Sequence, residues 1–144
     1  MAIDFTLHEE FLSALSADEV DPERVSAVLE QLRATGITPD AVTAEYTLRK
    51  NMERAAHLLE LRRDSLESMQ HLERVLRVCP LLPFQVNLWL PQNTYYEVMT
   101  THIDTMRAKA RRGDGEAAAW LKIARAAGEI LRVRGEWDGP EVAA

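Results

Sequence analysis

The residues best suited to chemistry lie in one short run, Pro83-Phe84-Gln85-Val86-Asn87-Leu88-Trp89-Leu90-Pro91-Gln92-Asn93-Thr94-Tyr95-Tyr96. It sets the aromatic residues Trp89, Tyr95 and Tyr96 among the amides Asn87, Gln92 and Asn93. Amide groups carry donors and acceptors together, and aromatic faces are flat apolar platforms. That mixture suits a sugar or a partner's backbone. It equally suits local structure, with the amides satisfying backbone groups exposed by the prolines and Trp89 filling a core. The two readings differ in whether the cluster is exposed or buried.

Other candidate chemistry is thinner. Glu53 and His57 are four residues apart, as are Glu67 and His71. Carboxylate-bridged metal sites in helical bundles use Glu-x-x-His at a spacing of three, with further inward glutamates. That pattern is absent, so these pairs, like His102 and Asp104, read as helix-surface residues and no metal or other cofactor is expected. Cys79 is the single cysteine and lies in Val78-Cys79-Pro80-Leu81, an apolar setting that suits a small packed residue better than a nucleophile. Gly113 and Gly115 are close together but lack phosphate-loop spacing, and no Gly-x-Ser-x-Gly occurs. A catalytic role is therefore not expected.

The elements that must carry these residues read as helices. Thr6-Leu7-His8-Glu9 fits a capping box, followed by Leu7, Phe11 and Ala14/Leu15 on one face. Asp21-Pro22 opens a second helix with Val25, Val28, Leu29 and Leu32 inward, and Gly36 stops it. Thr38-Pro39 opens a third, running to about Arg62, with Val42, Tyr46, Met52, Ala56 and Leu59 inward. Asp64-Ser65-Leu66-Glu67 resembles a further capping box, although no Gly or Pro separates the third helix from the fourth. Leu66, Met69, Leu72, Leu76 and Cys79 face inward there.

Pro80 and Pro83 break the pattern, and residues 84–88 alternate apolar and polar. With no second strand to pair with, an extended connector over about residues 80–90 is expected. The next helix is placed from Pro91, with Asn87 as an upstream alternative cap, and carries Tyr95, Met99, Ile103, Met106 and Ala110 inward. On it Gln92, Asn93 and Tyr96 share a face, while Tyr95 turns to the core. It ends at Arg111-Arg112-Gly113, and Asp114 caps a last helix extending to about Arg134 and stopped by Gly135. Its face is Ala117, Trp120, Leu121, Ala124 and Leu131. The expected fold is all-α: a single compact bundle of about six helices over residues 1–135, with a flexible tail over 136–144 from which Trp137 can tuck back onto the bundle.

Bulk composition bounds the partners. Of 144 residues, 47% are hydrophobic, enough for a core without staples. Net charge is −6, which argues against nucleic-acid binding despite the short basic runs Arg62-Arg63 and Arg107, Lys109, Arg111, Arg112. The charge is uneven: residues 1–40 hold nine acids against two bases, and residues 81–144 hold eight of each. No stretch approaches the ~20 apolar residues of a membrane span, and the start lacks the pattern of an export signal, so a cytoplasmic location with no membrane partner is expected.

The run from Leu82 to Tyr96 resembles a motif of a helical domain of unknown function found C-terminal to catalytic domains of the glycoside hydrolase family 57 type. The matching residues are Leu82-Pro83-Phe84, Val86-Asn87-Leu88-Trp89, Gln92-Asn93 and Tyr95-Tyr96, with Gly36-Ile37-Thr38-Pro39 as a similar upstream turn. The resemblance implies an accessory or interaction module linked to a carbohydrate-active domain or protein. It transfers no catalytic residue, because the hydrolase chemistry belongs to a separate domain. On this reading Trp89, Gln92 and Tyr96 line an exposed groove. The alternative is a stand-alone structural or protein-interaction bundle, open to homodimer formation, with the cluster buried. A metal-dependent bundle enzyme ranks third.

Overall fold

The structure, a computed structural model, describes residues 2–138. Among them are six α-helices and no strand: α1 (Ala2–Ser16), α2 (Pro22–Ala34), α3 (Ala41–Leu61), α4 (Leu66–Leu76), α5 (Trp89–Arg111) and α6 (Gly115–Leu131). Two 3₁₀ turns, Cys79–Leu81 and Glu136–Asp138, complete the set.

Local chemistry explains most boundaries. The Asp21 carboxylate accepts from the Glu23 N–H at 3.0 Å, and Pro22 occupies the first turn of α2. Gly36, at φ 71°, takes the left-handed position beyond the end of that helix. Ser65 caps α4 by accepting from Ser68 N–H at 3.2 Å, so α3 and α4 are separate helices. Asp114 accepts from both Glu116 and Ala117 N–H groups at the start of α6.

Four boundaries differ from the sequence reading. Helix α1 is already helical from Ala2, so Thr6 and Glu9 are mid-helix and form no capping box. Helix α3 begins after Asp40, not at Pro39. The Asp40 carboxylate accepts from the Thr43 hydroxyl at 2.8 Å and its N–H at 3.3 Å. Those two bonds hold Asp40 below the usual carboxylate range. Helix α5 starts at Trp89, two residues before Pro91, which lets the proline sit where no N–H is needed. Helix α6 stops at Leu131 because Arg132, and not Gly135, adopts the left-handed conformation, at φ 57°.

Helices α3–α6 form a four-helix bundle. Helix α3 packs on α4 and α5, and α6 packs on the same two, so the ring order is α3–α4–α6–α5. Contacts fix the directions. Glu45 of α3 meets Asn87 just before α5, and Arg63 at the far end meets Glu97. Helices α3 and α5 are therefore parallel. Gln92 of α5 meets Leu131 of α6, so those two are antiparallel. Helices α4 and α5 consequently occupy diagonal corners, and the chain between them must cross one end of the bundle. Residues 77–88 do so. Along the crossing Phe84, Val86 and Leu88 are half-buried against the core while Gln85 and Asn87 face out. The alternation seen in the sequence is thus that of an extended connector.

The N-terminal pair is an added layer. Helix α1 lies along α3, and α2 packs chiefly on α1. Buried Asn51 of α3 fastens α1 by donating to the carbonyls of Leu15 and Ala17 at 2.9 and 3.0 Å. Those carbonyls end α1 and lack helical partners, so the buried amide satisfies both sides.

The core-facing stripe of α3 is Ala44, Leu48, Asn51, Met52, Ala55, Ala56 and Leu59. Met52, Ala56 and Leu59 are buried as expected, but Val42 is 81% exposed and Tyr46 is half exposed. Tyr46 lies under the cations of Arg49 and Lys50 on the surface. The start of the expected tail is also ordered: Trp137 is buried against Tyr95 and Tyr96, and Arg107 donates to its carbonyl at 2.6 Å. Residues 139–144 lie outside the described residues.

Candidate functional site

The six candidate residues divide between two roles. Tyr95 is fully buried, and its hydroxyl donates to the Ala124 carbonyl of α6 at 2.8 Å. Burial, and then the nearby Asp138 charge, raise its phenol well above the usual range. Opposite it stands Gly128: a Cβ there would fall on the Tyr95 hydroxyl and ring edge. The missing side chain is what lets α5 and α6 approach this closely.

The three amides are tied to the backbone. Asn87 Oδ1 accepts from Trp89 N–H at 3.0 Å, and Asn93 Nδ2 donates to the Trp89 carbonyl at 2.7 Å. Between them these bonds hold the first turn of α5. Asn87 is placed in turn by its own N–H, which donates to Glu45 Oε2 at 2.9 Å. Glu45 is ion-paired with Arg49 on the same helix at 3.1 Å. Gln92 Nε2 donates to the Leu131 carbonyl at 2.9 Å, satisfying an orphan group at the end of α6. Asn87 therefore serves the turn without being the formal cap residue, which is Leu88.

Trp89 is different: it is 68% exposed although it is large and apolar. It borders a groove of about 730 Å³ between the connector, the start of α5 and the end of α6. Leu82, Phe84, Val86 and Ile130 contribute apolar surface, and Gln85, Asn87, Gln92, Glu129 and Arg132 contribute polar groups. Tyr96 is half exposed but does not line this groove; its ring lies 5.6 Å from that of Trp137. The expected trio of Trp89, Gln92 and Tyr96 is thus corrected to Trp89 and Gln92. The side chain at i+7 has been captured by the returning chain end. Sequence reasoning missed Glu129 and Arg132, which reach the groove only because α5 and α6 are antiparallel. It also missed Asn51, whose position in the 44–48–51–55 stripe was a usable signal.

Cys79 lines the groove wall and is half-buried. Burial pushes its thiol up to about 12, so the thiolate needed of a nucleophile is scarce at neutral pH. Among the described residues no three His, Cys, Asp or Glu side chains gather in a way that could hold a metal ion. Glu53 is near Lys50 at 3.6 Å, and His57 near Glu60 at 3.9 Å. No described helix is long and apolar enough to cross a membrane. Compared with protein-family models, curated proteins and solved structures, the chain matches none.

Proposed function

We propose that the chain is a non-catalytic helical accessory module that binds a glycan strand in the Trp89 groove, in the service of a carbohydrate-active domain or protein. The observation that carries the reading is the exposure of Trp89 beside a concave surface that also holds amide, carboxylate and guanidinium groups. A sugar ring has an apolar face and an equator of hydroxyls. An indole platform meets the face, and side chains such as Gln92, Glu129 and Arg132 meet the hydroxyls. The groove volume is within the range of small-molecule sites. The resemblance of residues 82–96 to the glycoside-hydrolase-associated motif supports the same class. The alternative, a structural or protein-interaction bundle with this cluster buried in its core, is less favoured because it requires Trp89 to be buried.

Titration with linear α-glucan oligosaccharides, followed by tryptophan fluorescence, tests the proposal. Trp120 and Trp137 are buried, so the solvent-accessible signal belongs to Trp89. The expected result is a change in emission and protection from iodide quenching, both lost in Trp89→Phe. An unchanged spectrum with every α-glucan, in a folded sample, would refute it.

A further inference from the structure

A second concave surface lies between α1 and α2, and it shares no lining residue with the Trp89 groove. It is a hollow of about 450 Å³ lined by Ile3, Thr6, Leu7, Gln31, Ala34 and Thr35. Ile3 is 64% exposed at its edge. The two helices run antiparallel, since Arg24 near the start of α2 meets Ser13 near the end of α1. Helical spacing then continues the hollow as a furrow, past Glu10 on α1 and exposed Ala27 on α2. Among the described helices α2 packs chiefly on α1.

The charge of the chain segment that forms this hollow is one-sided. Residues 1–40 hold nine of the 23 acids and two of the 17 bases. Both bases are engaged on the surface, Arg33 with Glu30 at 2.8 Å and Arg24 with the Ser13 hydroxyl at 3.3 Å. Glu9, Glu10, Glu23 and Glu30 are all exposed. An apolar hollow between two helices, in a segment with seven more acids than bases, complements a helix with an apolar stripe and cationic flanks.

We infer that the α1–α2 furrow docks a basic amphipathic helix of a protein partner. An apolar side chain of that helix fills the hollow beside Ile3, and one of its Lys or Arg residues faces Glu10. This gives the module an attachment surface independent of the glycan groove.

The test uses a fluorescein-labelled Leu/Lys amphipathic helical peptide, read by anisotropy and by amide chemical shifts of the full chain. Saturable binding is expected, with the shifts centred on Ile3, Thr6 and Ala34. Because Ile3 is exposed, Ile3→Asp should fold normally and weaken binding by roughly tenfold or more, the effect of placing a charge in a desolvated contact. Raising salt from about 50 to about 300 mM should weaken it several-fold. Equal binding of a scrambled peptide of the same composition overturns the inference, as does unchanged affinity in Ile3→Asp. Concentration-dependent self-association abolished by Ile3→Asp also overturns it, by making a second copy the occupant. The glucan titration is read separately on the same variant, so failure of one surface leaves the other's result intact.

Discussion

The first two turns of α5 present two sides with opposite fates. On one side Tyr95 is 1% exposed, bonded to Ala124 and pressed against Gly128. On the other, Trp89 is held in place through its backbone by Asn87 and Asn93 while its ring stands in solvent. One side uses an aromatic ring as packing volume and the other leaves a ring unused by the fold. Large apolar groups without a packing role are the ones available for contact. The difference separates what holds the bundle together from what it can offer a ligand.

The strongest way to break this comparison is to truncate a ring that the fold does use. Trp120 is fully buried, and its indole N–H donates to the Arg63 carbonyl at 3.1 Å. Trp120→Ala should cost about 3–5 kcal/mol in denaturant unfolding, as for other large core truncations. A loss under about 1 kcal/mol would mean the core tolerates missing rings, and exposure would cease to mark function. Next in size is the close approach of α5 and α6. Gly128→Ala should destabilise by roughly 1–3 kcal/mol through overpacking. Tyr95→Phe in the same chain should recover part of that loss, because the hydroxyl that the new Cβ strikes is gone. Additive effects would place the clash elsewhere. The smallest effect is expected at Trp89: Trp89→Ala should leave stability within about 0.5 kcal/mol, as for surface substitutions generally. A loss of several kcal/mol would return the cluster to the structural role that the sequence alone also allowed.

Most of the fold was legible because its signals are local. Asp21-Pro22 and Asp114 act through bonds to N–H groups two or three residues on, and such spacing is visible in the chain. The misreadings arose where one pattern admits two structures. Thr6 and Glu9 have capping-box spacing, but the same spacing occurs on any exposed helix face. Val42 and Tyr46 invite an inward assignment by size, yet the small residues Ala44 and Ala55 mark the true contact line of α3. The site was only half legible. The residue types around Trp89 were readable, whereas Glu129 and Arg132 enter the groove through the chain reversal between α5 and α6. Tyr96 left the expected set because Trp137, more than forty positions later, packs on it.

The diagonal crossing of residues 77–88 has a kinetic consequence. Helices α3 and α4 close as one hairpin through residues 62–65, and α5 and α6 as another through residues 112–114, so each needs only nearby chain. Docking one hairpin on the other requires contacts distant in sequence and closure of the crossing segment. The topology thus predicts two quick local events and one slower joining step. The Trp89 groove is built from the crossing segment, α5 and α6, so on this order its formation would mark completed assembly.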